Sequence, residues 1–229
     1  MASIRSITLE RHFKLELDEL KQHLLWMGGL AERSVHQAMR AVLECDEKAA
    51  QDVFSNEDAI NKLQIEIDER VVQLLALYQL MAVDLRFSLA AARINNDLER
   101  IGDQAVNIAK SAQHISQYPR VKPYVDLPRM SDLAEAMVRD SLNAVGRGDV
   151  ELARSVLVRD DRIDLLRDEI FRGLLAYMTS DPSLVRPTFG LLLVAKNLER
   201  VGDHATNIAE DVIFMVAGRD VRHGALDRR

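Results

Sequence analysis

One twelve-residue segment of this chain has a second, closely similar copy. Leu98-Glu-Arg-Ile-Gly-Asp-Gln-Ala-Val-Asn-Ile-Ala109 matches Leu198-Glu-Arg-Val-Gly-Asp-His-Ala-Thr-Asn-Ile-Ala209 at nine of twelve positions, where usual residue frequencies give agreement at roughly one position in fifteen. The copies lie 100 residues apart, and upstream the spacing becomes 103, aligning Asp46 with Asp149, Asp58 with Asp161, Ile60 with Ile163 and Glu66 with Glu169. The first half thus carries three more residues in its second interhelical turn. A duplication of this kind restricts the fold to two like halves related by an approximate twofold.

Each half reads as helix. Leu98, Ile101, Ala105, Ile108, Ala112 and Ile115 recur at three and four, as do Leu198, Val201, Ala205, Ile208, Val212 and Met215, the spacing of one helical stripe. Phe13, Leu17, Leu20, Leu24, Met27 and Leu30 make another stripe, and Val53, Ile60, Leu63, Ile67, Val71 and Leu74 a fourth. No stretch alternates with the period of two that a half-buried strand requires. Pro119, Pro123 and Pro128 mark the connection between halves, Pro182 and Pro187 mark a turn, and Asp46 and Asp149 are N-cap candidates after short polar breaks. The prediction is all-α, two tandem three-helix bundles of six long helices, with approximate spans 8–44, 47–80 and 83–117, then 129–146, 149–180 and 184–217. The corresponding division is a first bundle over 1–117, a connection over 118–128, a second bundle over 129–217 and a tail over 218–229, each bundle folding around its own core.

Composition removes several function classes. Thirty Lys and Arg against 36 Asp and Glu give a net charge of -6, the wrong sign for a protein that neutralises a phosphate backbone. Cys45 is the only cysteine, which rules out an intrachain disulfide or a Cys-rich zinc site and suits a reducing cytoplasm. The longest charge-free run, Val71 to Val83, is shorter than the roughly 18 residues a membrane span needs. The first residues, charged at Arg5, Glu10, Arg11 and Lys14, do not read as a signal peptide, so a cytoplasmic location is expected. There is no phosphate-binding loop, nucleophile elbow or dinucleotide fingerprint, and the six histidines form no pair at i, i+4.

The duplication retained more than a core stripe. Glu99, Asp103 and Asn107 are spaced at four, as are Glu199, Asp203 and Asn207, so each trio sets three oxygen donors along one helix face beside the apolar seam. Acids at i and i+4 repel, and the intervening Gly102 or Gly202 costs about 1 kcal/mol against Ala in a helix interior. A cation at the acids offsets the repulsion, and a glycine admits a close neighbour. For a single copy, surface ion pairs and a tight helix contact explain the same residues; retention in both halves asks for a second reason.

Two copies of L-E-R-[IV]-G-D, one per half of a six-helix chain, resemble the PhoU family of phosphate-signalling regulators. The resemblance covers nearly the whole chain, with supporting pieces at Met27-Gly-Gly-Leu-Ala-Glu32, Asp84-Leu-Arg86 and Gly218-Arg-Asp-Val-Arg-His223. It implies metal clusters, of iron, zinc, magnesium or manganese, on the acids of each bundle: Glu99 and Asp103 in the first half, Glu199 and Asp203 in the second. Asn107 and Asn207 would be further donors. The second helix would add Asp161 and Asp164, which align with Asp58 and the neutral Asn61, so the first site is expected to be the weaker. Glu32 and its counterpart Glu135 are additional acids. An oxygen-only donor set favours hard ions over zinc. The resemblance further implies a non-enzymatic homodimer that restrains the phosphate-starvation response and high-affinity phosphate uptake by contacting the sensor histidine kinase and the nucleotide-binding subunit of the phosphate ABC transporter, recruited by them to the membrane face. The rival readings are a metal-dependent phosphohydrolase and a helical adaptor without metal.

Overall fold

The computed structural model describes residues 2–119 and 126–222, with side chains from His12 onward; Pro123 and the tail beyond Arg222, His223 included, lie outside the described residues. The elements are α1 (Ala2–Glu44), α2 (Glu47–Leu77), α3 (Ala82–Ile115), α4 (Asp126–Arg147), α5 (Val150–Leu157), α6 (Asp160–Ser180), a 3-10 turn (Pro182–Leu184) and α7 (Val185–Ala217). No strand occurs among the described residues. Helices α1, α2 and α3 pack on one another, and α4, α5 and α6 gather around α7.

The turns that open α2 and α5 repeat each other atom for atom. Asp46 Oδ1 accepts from the Ala49 amide and Asp149 Oδ1 from the Leu152 amide, both at 3.0 Å, satisfying one of the free N–H groups at each helix start. The residue before each cap is left-handed, with φ 58° at Cys45 and 64° at Gly148. Glycine takes that conformation freely, whereas cysteine pays a steric cost of roughly 1–2 kcal/mol.

The second helix of the second half is not continuous. The expected 149–180 helix breaks at Val158–Arg159 into α5 and α6, while its first-half counterpart α2 runs unbroken. At the break the Arg159 amide bonds to Val156 O at 3.0 Å, three residues back, and its side chain bonds Asp140 of α4 at 2.6 Å. Asp160 and Asp161 thereby become the first turn of α6, where the positive end of the helix dipole favours carboxylates. Elsewhere the helices differ from expectation at their ends. Helix α1 begins at Ala2, there being no Gly or Pro before Gly28. Helix α4 takes in Pro128, and α7 takes in Pro187 as its third residue, positions where the missing proline N–H has no intrahelical partner to lose.

The predicted stripes are the core. Ile60, Ile67, Leu98, Ile101, Ile108, Ile163, Leu198, Val201 and Ile208 are buried to within 1%. These side chains belong to one connected cluster that runs through both halves, so the expectation of a separate core in each half is modified: α3 and α7 pack against each other and join the two. They run antiparallel, with Arg93 bonded to Asp211 at 3.1 Å and Asp97 facing His204 at 2.8 Å. Helices α1 and α4 add a second seam, where Glu135 meets His36 at 3.0 Å and Glu32 accepts from Arg139 at 3.1 Å. Glu32 therefore serves as an ion-pair partner and Glu135 as a hydrogen-bond partner between the halves. The motif glycines serve close packing: a Cβ on Gly102 would stand 3.0 Å from Ile60 Cδ1, and one on Gly202 2.9 Å from Ile163 Cδ1.

Candidate metal centre

In the second half the chain brings four carboxylates together from two helices. Glu199 and Asp203 lie one turn apart on α7, and Asp160 and Asp164 lie one turn apart on α6. Their charges act on one another: Asp203 is pushed up to about 6, first by loss of water around the carboxyl, then by Glu199, Asp160 and Asp164, with His204 opposing. Asp203 is nevertheless exposed on its outer side, so the shift reflects neighbours on one side and solvent on the other. Asp160 is raised as well, first by burial, against the hydroxyl of Thr206, which donates to Oδ1 at 3.2 Å, and further by Asp164, Asp161 and Glu199. Asp161 itself is exposed and contributes to this group through its charge on Asp160.

A cation of the protein's own stands in the cluster. Arg167 of α6 reaches Glu199 Oε1 at 2.5 Å and Asp164 Oδ1 at 3.2 Å through Nη1, and Asp168 Oδ1 at 2.9 Å through Nη2. Among the described residues no three His, Cys, Asp or Glu side chains already stand in a metal-holding arrangement. The donors are of the type a hard cation takes, four carboxylates and no sulfur. Asp160, Asp164, Glu199 and Asp203 are the residues that would hold such an ion, which would supply positive charge to this face.

The first-half counterpart is thinner. Glu99 is raised, first by burial and then by Asp103, with Arg100 and His204 opposing. Arg100 lies 3.5 Å from both Glu99 and Asp103. Asp58 and Asn61 are exposed on α2, and the position aligned with Arg167 is Gln64, whose amide donates to Asn96 at 3.4 Å. Asn107 points to solvent, its backbone carbonyl accepting from Ser111 at 2.9 Å.

Between the two motifs, at the crossing of α3 and α7, lies an open cleft of about 530 Å³ lined by Arg100, Gln104, Asp160, Arg200, Asp203, His204, Thr206 and Asn207. Here Asn207 and His204 are committed to the other half: Asn207 Nδ2 donates to Asp97 Oδ1 at 3.1 Å, and His204 Nδ1 is 2.8 Å from the same oxygen. Asn207 therefore ties α7 to α3, with its donor end used. Sequence reasoning missed Asp160, Arg167, Asp97 and Thr206. One of them was findable, since the 103-residue spacing aligns Asp160 with Glu57 and so retains an acid in both halves. The others have no counterpart of the same type.

Comparison with known proteins agrees with this architecture. The PhoU domain model matches residues 24–112 and again 127–212. A phosphate-specific transport system accessory protein PhoU homolog of Pseudomonas putida is 40% identical over 221 residues, 96% of this chain and 86% of that protein. The homolog of Clostridium acetobutylicum is 36% identical over 91% of this chain and 96% of its own length. The crystal structure of PhoU from Pseudomonas aeruginosa superposes with a TM-score of 0.88 at 38% identity, covering 90% of this chain and all of that one. The phosphate transport system regulatory protein PhoU from Streptococcus pneumoniae superposes with a TM-score of 0.83 at 30% identity, covering 91% of this chain and 99% of that one. With both repeats matched and relatives of this similarity over nearly the full length, the chain belongs to the PhoU family.

Proposed function

We propose that this chain is a negative regulator of the phosphate-starvation response and of high-affinity phosphate uptake, working in the cytoplasm by protein contact and not by catalysis. Its partners in this reading are the sensor histidine kinase and the nucleotide-binding subunit of the phosphate transporter, and the carboxylate faces carry metal. The supporting observation is the pairing of homologues named as phosphate-transport accessory proteins with the acid pair that the duplication kept on a helix face, Glu99 and Asp103 in one half and Glu199 and Asp203 in the other. No helix among the described residues is long and apolar enough to cross a membrane, and in this reading the chain is brought to the membrane face by its partners. A bound hard cation would fix α6 against α7, since Asp160 and Asp164 come from one and Glu199 and Asp203 from the other, and would thereby set the shape of that face. A phosphohydrolase reading asks in addition for a general base and a bound substrate, and the homologues are named as accessory proteins.

The test is genetic. In a strain deleted for this protein, a phosphate-responsive reporter should stay active in phosphate-rich medium and be silenced again when the chain is supplied in trans. Unchanged reporter output on deletion would count against the regulatory reading.

A further inference from the structure

The repeated motif keeps a cation as well as acids. Arg100 and Arg200 are equivalent residues of the two copies, and because α3 and α7 cross antiparallel, both line one cleft between the halves. Neither is used up as a counter-charge. Arg100 stands 3.5 Å from Glu99 and from Asp103, beyond the reach of a good charge-assisted hydrogen bond. Arg200 is exposed with no ion pair among the described residues, its neighbour Glu199 being engaged by Arg167. The same wall carries Gln104, 5% exposed, whose Oε1 is buried without a hydrogen-bond partner, an arrangement that is costly unless something supplies a donor. We infer that this cleft binds inorganic hydrogen phosphate, held between Arg100 and Arg200 and donating its own O–H to Gln104. Its biological use rests on the regulatory reading above, to which it adds a small-molecule ligand.

The identity of the ligand follows from the mixture of groups. Two guanidiniums offer planar forks of N–H donors, suited to a tetrahedral oxyanion. The orphan acceptor and the carboxylates of Asp160 and Asp203 line the same cleft; they repel an anion that has only acceptors and accept from one that carries a hydroxyl. Hydrogen phosphate meets both demands at neutral pH. Sulfate and a dianionic phosphate monoester have no O–H and meet only the first. Thr206 and Asn207, also on the wall, have donors committed to Asp160 and Asp97, and His204 Nδ1 faces Asp97 as well, so the arginines carry the anion. A ligand held by both would bridge α3 to α7, and with them the two halves.

The experiment titrates the full chain calorimetrically with inorganic phosphate, in chelator at pH 7.5, with sulfate and methyl phosphate as comparison ligands. Phosphate should bind at least about ten-fold more tightly than either. Arg100→Ala and Arg200→Ala should each weaken phosphate binding about ten-fold, and the double variant should abolish it, since each change removes a charge-assisted contact. Both side chains are exposed, so helicity and melting temperature without phosphate should stay close to the parent's. Gln104→Leu should lose the preference for phosphate over sulfate. Absence of phosphate binding by the parent, equal binding of sulfate or methyl phosphate, or unchanged affinity in the folded double arginine variant would each overturn the site. A parent that restrains the reporter yet binds no phosphate would overturn the site and leave the regulatory reading standing. Arginine-dependent phosphate binding with no reporter change on deletion would uphold the site and overturn that reading.

Discussion

Asp203 and Asp211 show how single residues carry the strain of this design. Each is pushed up to about 6, Asp203 by lost water and neighbouring acids, Asp211 by burial that outweighs its bond to Arg93. A carboxyl whose folded value exceeds its unfolded one binds protons more readily when folded, so stability rises as pH falls through about 6 toward 4. Without metal, the chain should therefore resist denaturant better at pH 5.5 than at pH 7.5. In Asp203→Asn with Asp211→Asn that difference should shrink, which denaturant midpoints at the two pH values would show. In the metal-carrying reading proposed above, the requirement at Asp203 would be reversed, because a bound cation needs the ionised form. Glu199→Ala with Asp203→Ala should accordingly keep its helicity, lose bound Mn²⁺, and melt in chelator at or slightly above the parent temperature, since alanine relieves repulsion and favours helix; circular dichroism and metal analysis check both halves of that statement. At Cys45 the left-handed φ of 58° makes a different prediction. Cys45→Gly, copying Gly148, should raise stability by up to about 1 kcal/mol, less the greater freedom glycine gives the unfolded chain; denaturant midpoints measure it.

At the scale of elements, helix against helix is set by a few close approaches. A Cβ on Gly28 would stand 2.2 Å from Leu142 Cδ2 and 2.9 Å from Leu142 Cδ1, so at the meeting of α1 and α4 any larger residue has to push the Leu142 side chain aside. Gly28→Ala should cost about 1–3 kcal/mol by overpacking, with the better helix propensity of alanine recovering about 1 kcal/mol of it. A denaturant midpoint at or above the parent's would show that the contact relaxes freely. Element identity was legible in the sequence because each stripe repeats at three and four and the caps of α2 and α5 are aspartates after polar breaks. The break at Val158–Arg159 was not legible, because Val158, Arg159 and Asp160 are all compatible with helix locally. It depends on Arg159 finding Asp140 on another helix, information that no local window contains. The motif acids on α7 and Asp164 on α6 were readable from i, i+4 spacing and the aligned repeat, whereas the choice of Asp160 over Asp161 depends on which way α6 faces after the break.

For the whole molecule, duplication is the controlling fact, and the two copies have diverged where they meet and where they bind charge. Gln104 and His204 occupy equivalent positions, yet His204 pairs across the α3–α7 crossing with Asp97 while Gln104 keeps a buried Oε1 without a partner. The symmetry visible in sequence therefore describes the scaffold, and tertiary packing decides which copy uses which side chain. Since the buried cluster is continuous through α3 and α7, thermal unfolding should show one cooperative transition; two separated transitions would show halves that fold independently. In the proposed function the acid faces serve regulation and were not kept for stability alone. That claim is tested by expressing, in a deletion strain and at matched protein level, the parent or the variant carrying Glu99→Ala, Asp103→Ala, Glu199→Ala and Asp203→Ala, and reading a phosphate-responsive reporter in phosphate-rich medium. The parent should silence the reporter and the folded, fully helical variant should leave it active; equal silencing by both would contradict the claim.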